Sequence, residues 1–135
     1  MIEWMEDYAT GVQLVDIQHR ALFQQINRLE AMIKATEIDP YEVERLLVFL
    51  SNYIVGHFRF EENCMKRRAC PAYAENRKAH EEFIATLTDV KRRFSADNPN
   101  REVLQELLEH TQAWIKDHIL KIDQQLKNTV SRPGF

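Results

Sequence analysis

The chain is predicted to be all-α, an antiparallel up-down-up-down four-helix bundle with an extended N-terminal arm. Three observations carry this. Apolar residues recur at a spacing near 3.6 along four long segments, strand-type alternation is absent, and only three glycines and four prolines interrupt 135 residues.

The first segment places Leu22, Phe23, Ile26, Leu29 and Ile33 on one stripe, with His19 extending it backward. The second opens at Asp39-Pro40-Tyr41-Glu42, where Asp39 suits the cap, Pro40 the first turn and Glu42 the reciprocal half of a capping box. Its stripe runs Val43, Leu46, Leu47, Leu50, Ile54, His57, Glu61, Met65. The third starts near Pro71 and carries Tyr73, Asn76, His80, Phe83, Leu87 and Phe94, ending at the turn Asp97-Asn98-Pro99-Asn100. The fourth runs Leu104, Leu107, Leu108, Thr111, Trp114, Ile115, His118, Ile122, Leu126. Helices of roughly 20–28 residues would be about 30–40 Å long. Short connections make neighbours antiparallel. Residues 1–135 are expected to form one domain, with 1–15 as an arm packing Trp4 and Tyr8 on the bundle and 129–135 as a tail or the start of a linker.

Apolar residues at 44 % and charged residues at 29 % match an ordinary globular chain. The formal charge of −3, from 18 cations and 21 anions without a long run of one sign, argues against nucleic acid or an anionic membrane as partner. No apolar run spans a bilayer, and the acidic N-terminus is no signal peptide, so the expected compartment is the cytoplasm. Cys64 and Cys70 are expected to be reduced and structural, their spacing matching no zinc knuckle.

The informative feature is polar residues on faces that should be core: His19, His57, Glu61, Asn76, His80 and His118. A buried, unpaired carboxylate costs several kcal/mol unless a cation or hydrogen bonds compensate. A single core histidine is usually just hydrogen-bonded, but here each helix contributes at least one polar residue, and only His110 falls off the stripes. In an antiparallel bundle, His19, His57 with Glu61, His80 and His118 all lie at the same end. Imidazoles and carboxylate at one level suit iron, zinc or copper better than calcium. Asp123 lies five residues after His118, about 140° away on an ideal helix. It reaches such a site only across to a second metal or through a local helix distortion. Asp16, three residues before His19, is read first as a solvated arm residue, with acceptor for a ligand imidazole as the other reading. Phe23, Ile54, Phe83, Leu87, Trp114 and Ile115 are candidates for an apolar wall. Two other motifs fail: Ile84 stands where a zinc-protease HExxH needs its second histidine, and no histidine follows a glutamate at the Glu-x-x-His spacing of ferritin-type di-iron bundles.

From about Trp4 to about Leu126 the chain resembles the hemerythrin family in its bacterial form. The resemblance rests on Trp4…Tyr8-Ala9-Thr10-Gly11-Val12, Val15-Asp16-Ile17-Gln18-His19-Arg20-Ala21-Leu22-Phe23, His57-x-x-x-Glu61 with Glu62 and Met65, and Trp114…His118-x-x-x-x-Asp123. It implies a non-haem centre of two iron ions, bridged by oxo or hydroxo. His19 and His57 would bind one iron, His80 and His118 the other, and Glu61 and Asp123 would bridge. The family's remaining motif is His-x-x-x-His; here it reads Asn76-Arg77-Lys78-Ala79-His80, so Asn76 takes the place of a histidine ligand. In the family three histidines saturate one iron while O2 binds at the other. The Asn76 departure therefore implies a labile position at the second iron, open to water, hydroxide or an added anion.

The resemblance leaves three functions: an O2 or redox sensor attached to a C-terminal signalling domain, an O2 carrier, store or scavenger, and a metal-free or zinc-bound interaction bundle. The departure at Asn76 favours the sensor. Expected partners are O2 and small anions at the iron pair, and enzyme activity is not expected.

Overall fold

The computed structural model describes residues 1–129, and among them there are four long helices and no strand. They are α1 (Gln13–Lys34, 22 residues), α2 (Pro40–Arg67, 28 residues), α3 (Tyr73–Arg93, 21 residues) and α4 (Arg101–Lys121, 21 residues). A 3-10 turn, Glu6–Tyr8, precedes them, and a 3-10 segment, Asp123–Thr129, follows. α1 packs on α2 and α4, and α3 packs on the same two, which makes the closed ring of an all-α four-helix bundle. The tail expected from residue 129 falls, beyond Thr129 itself, outside the described residues.

The ends form where local chemistry stops the helices. Asp39 accepts from the backbone N–H of Tyr41 and Glu42, and Pro40 occupies the first position. The second half of the expected capping box does not form: the Glu42 carboxylate faces Arg45 and Arg28 instead. α3 starts two residues later than expected, at Tyr73, and ends at Arg93, with Phe94 turning into extended backbone. Asn100, the last residue of the expected turn, caps α4 through Glu102 and Val103 N–H. After α2 the chain reverses through Ala69 at φ 53°, with Cys70 N–H returning to the Met65 carbonyl at 2.8 Å, a left-handed helix exit.

The main core joins all four helices through residues such as Ile26, Leu29, Leu50, Ile54, Leu87, Leu104 and Ile115. The arm is shorter than expected, because α1 begins at Gln13, and it is tacked down at several points. Ile2 and Asn27 exchange two hydrogen bonds of 2.8 Å, and the Trp4, Tyr8 and Phe23 rings cluster at 5.2–5.9 Å between centroids. Asp16 fits neither reading made for it, being half-buried and engaged within the arm. Its carboxylate accepts from the Thr10 N–H and hydroxyl, both at 2.8 Å, so it fastens the arm to α1 rather than holding an imidazole.

Leu104 is fully buried and Asp39 makes only surface cap bonds. Leu104→Ala is therefore expected to cost about 2–5 kcal/mol and Asp39→Ala about 1 kcal/mol. Urea unfolding of metal-matched samples measures both; equal losses would contradict this division between core and cap.

Candidate metal centre

The four stripe histidines meet near one end of the bundle. His19 comes from the start of α1, His57 and Glu61 from the last third of α2, His80 from the second turn of α3, and His118 from the last turn of α4. All are buried: Glu61 is 0 % exposed and His118, the most exposed, 5 %. Asp123 joins them at 1 %, because the α-helix stops at Lys121 and the chain tightens into the 3-10 segment that Asp123 opens. The distortion allowed for in the sequence is what turns its carboxylate inward.

Each carboxylate faces both pairs of imidazoles. Glu61 Oε2 lies 3.0 Å from His19 Nε2 and 3.3 Å from His57 Nε2, while its Oε1 lies 3.2 Å from His80 Nε2. Asp123 Oδ2 lies 3.3 Å from His19 Nε2, and Oδ1 lies 3.2 Å from His118 Nε2. Two groups of donors result, His19–His57–Glu61 and Glu61–His80–His118–Asp123, each with its atoms within 4.8 Å of one another. They share Glu61, and Asp123 reaches His19 across the divide. Imidazole nitrogen and carboxylate oxygen form a transition-metal donor set.

The bare cluster is short of positive charge. Burial disfavours a charged His19, yet the nearby Asp123 and Glu61 carboxylates outweigh that and raise its pKa to about 10. Burial alone would raise Glu61, but His19, His57 and His80 hold it well below the usual carboxylate range. Burial also opposes charge on His80, and Glu61 and Glu62 reverse that and raise it. His57 is lowered, burial prevailing there over Glu61. Both Asp123 oxygens are buried without hydrogen-bonding geometry to any protein group, and the His80 and His118 Nε2 atoms point at each other across 3.1 Å. A proton or a cation is needed between those two nitrogens. Two divalent metals placed among the shared carboxylates would satisfy every one of these atoms, so the residues fit a dinuclear centre.

Asn76 is also fully buried. Its Nδ2 donates to Glu61 Oε1 at 2.9 Å and contacts Met65 Sδ at 3.2 Å, while its Oδ1 has no hydrogen-bond partner. A carboxylate only accepts, so the amide must turn its N–H toward Glu61.

The sequence reading missed the groups that orient the imidazoles. His57 Nδ1 meets Gln18 Oε1 at 2.7 Å, and His80 Nδ1 meets Glu62 Oε2 at 2.8 Å. Both partners stand next to a cluster residue in the sequence, one step off the apolar stripe, and that adjacency was the available signal. Above the histidines is a cavity of about 10 Å³, bounded by Leu22, Phe58, Trp114, Ile115 and Ile119. Trp114 and Ile115 were expected there; Phe23, Ile54, Phe83 and Leu87, which share the main core with Ile115, do not line the cavity. The Phe58 ring lies parallel to His80 at 3.7 Å, and Trp114 stacks on His118 at 4.3 Å. His110 is exposed, as expected, and lies against Phe83. Cys64 and Cys70 are buried and unbridged, and burial pushes the Cys64 thiol up. No described helix is long and apolar enough to cross a membrane.

Comparison with known proteins agrees with this geometry. Residues 10–130 match the family model described as the hemerythrin HHE cation binding domain. A bacteriohemerythrin of Stenotrophomonas maltophilia is 27 % identical over 124 residues, covering 92 % of this chain and 78 % of that protein. One of Methylococcus capsulatus is 27 % identical over 118 residues, 87 % of each chain. A crystal structure of wild-type hemerythrin superimposes with a TM-score of 0.86 at 24 % identity, covering 97 % of this chain and 98 % of that one, which shows the shared fold. With a family match across nearly its whole length, and two buried clusters able to hold metal near one end of its bundle, the chain belongs to the hemerythrin family, whose cofactor is a non-haem pair of iron ions.

Proposed function

We propose that this is a dioxygen-reactive di-iron domain acting as an O2 or redox sensor, with a labile coordination position beside Asn76. The observation that carries the reading is Asn76 itself: fully buried, facing the Glu61 carboxylate through its N–H, and standing where the family motif has a histidine. In this reading His19 and His57 would hold one iron, His80 and His118 the other, and Glu61 and Asp123 would be shared between them. The iron pair, when bound, supplies the affinity for O2 and the change of redox state.

The protein's own residues supply the rest. Gln18 and Glu62 fix two rings so that Nε2 faces inward. Glu61 and Asp123 balance the cationic charge that the imidazoles cannot. The walls of Leu22, Phe58, Trp114, Ile115 and Ile119 leave a space of about 10 Å³, the lower limit for a single water, so access to the site is tightly restricted. Asn76 donates to a shared carboxylate instead of adding a third imidazole, which leaves one position to exchangeable small ligands such as azide. A position of that kind favours rapid oxidation over stable storage. Oxidation would be signalled to an attached domain through α4 and the 3-10 segment carrying Asp123. Carriage or storage of O2 uses the same six residues and differs in how long the oxygenated form lasts. The names of the bacteriohemerythrin relatives keep that second reading open. The role in either case is binding and reporting rather than turnover.

Two outcomes follow. Asp123→Ala, which removes a carboxylate shared by both groups, is expected to at least halve the iron retained per chain in an anaerobic assay, with the helical content unchanged. When reduced protein is mixed with O2, the native chain should pass within minutes to the oxidised spectrum. Asn76→His should prolong any oxygenated species by about tenfold or more, the scale on which groups around a metal change its behaviour. Identical lifetimes in the two proteins would remove the labile position from the account, and a reversible oxygenated spectrum in the native chain would make it a carrier.

A further inference from the structure

Gly56 is the only glycine inside a described helix, just past the middle of α2. Its backbone is helical, so no left-handed φ requires a glycine there. A Cβ built on it would meet nothing within 4 Å, so close packing within this chain does not require one either. Glycine is among the least favourable residues for a helix interior. An exposed glycine without a use inside the chain leaves a contact from outside to explain it.

The neighbouring residues describe that contact. Phe49, Tyr53 and Gly56 follow one another at four and then three residues, the spacing of a helix seam. Phe49 and Val48 are half exposed, and the Tyr53 ring stacks on Phe49 with 6.0 Å between centroids. The Tyr53 hydroxyl donates to the Gln18 carbonyl, which sets the first turns of α1 beside this part of α2. Leu14 and Ile17, also half exposed, stand on those turns.

The seam is self-complementary. Phe49 projects, and Gly56, two turns further on, is a notch. A two-fold axis passing between Asn52 and Tyr53 lays a second α2 antiparallel across the first and seats each Phe49 in the other's notch. The same axis sets opposite charges against each other. Before Phe49, α2 and its cap carry Asp39, Glu42 and Glu44 against Arg45, whereas the exposed charges after Gly56 are Arg59, Lys66 and Arg67. A parallel pairing would put like ends and like helix dipoles together. Two adjacent helices, roughly 20 Å across and 30 Å long, offer on the order of 600 Å². Each partner in a standard interface gives up about 800 Å², so this face suits a reversible dimer rather than an obligate one.

We propose that the outer face of α2, centred between Phe49 and Gly56 and flanked by Leu14 and Ile17 of α1, joins two copies of this chain in a weak two-fold dimer.

Sedimentation velocity of the iron-loaded chain over a range of concentrations tests this. The native chain is expected to pass from monomer to dimer with a Kd of about 10–100 µM. Gly56→Leu fills the notch and Phe49→Ala removes the projection, and each should weaken association at least about tenfold. Gly56→Leu should also raise the melting temperature of the dilute monomer by about 2–6 °C, because its side chain enters open space and favours a helix. That gain separates a lost contact from a damaged fold. Combining Phe49→Ala with Gly56→Phe exchanges projection and notch, and should restore association to within about threefold of native. A native chain that stays monomeric up to several hundred micromolar would overturn the proposal, as would either single variant dimerising like the native chain. A double variant no tighter than the single ones would overturn it too, since the Phe49–Gly56 pairing defines the axis.

Discussion

Two carboxylates, Glu61 and Asp123, are buried at 0 % and 1 % exposure among four imidazoles near one end of a helical bundle. Removing such groups from water costs several kcal/mol each unless cations or hydrogen bonds replace the lost solvation. The surrounding histidines do this only partly without metal, as the raised His19 and the Asp123 oxygens, close to imidazoles but in no hydrogen-bonding geometry, indicate. Much of the chain's architecture serves this one cluster. α2 brings His57 and Glu61 to the bundle end one turn apart, and the arm, fastened by Asp16 to Thr10, covers the start of α1 near His19. The switch from α to 3-10 after Lys121 delivers Asp123.

The bundle beneath the cluster is a rigid support. Its core of leucine, isoleucine and phenylalanine runs through all four helices, and a smaller group formed by Val12, Val15, Cys64, Met65, Cys70, Ala72 and Leu126 closes the far side of the site. That second group includes the Met65 sulfur that contacts Asn76, so Asn76 is seated between the Glu61 carboxylate and apolar packing. Arg68, buried in the same region, donates to the Thr129 carbonyl at 2.9 Å and ties the end of α2 to the 3-10 segment that carries Asp123.

Much of this was legible in the sequence because helical periodicity and burial are local signals. The stripes through Leu22–Ile33 and Val43–Met65 place His19, His57 and Glu61 on core faces without further help, and antiparallel packing sets their height. Asp123 was different. On an ideal helix it faces solvent, and only the resemblance to hemerythrins gave it a role; a helix that ends in 3-10 form is a tertiary compromise that periodicity does not encode. Asp16 was misjudged for the opposite reason. Spacing made it a neighbour of His19, but the turn through Gly11, at φ 83°, folds Thr10 back onto it first. Gln18 and Glu62 were named among the residues that carry the resemblance but given no role, because they lie beside the stripe and only packing between helices shows what they touch.

The central claim is that the buried carboxylates and imidazoles form a dinuclear metal site on which the stability of this end of the bundle depends. It is tested most directly by anaerobic titration of metal-free protein with Fe(II), following bound metal and thermal unfolding together. Ligands that bind only the folded state raise its stability with concentration. The account requires saturation at two irons per chain, with the melting temperature climbing through both equivalents. Saturation at one iron or none, or a melting temperature indifferent to metal, would contradict it.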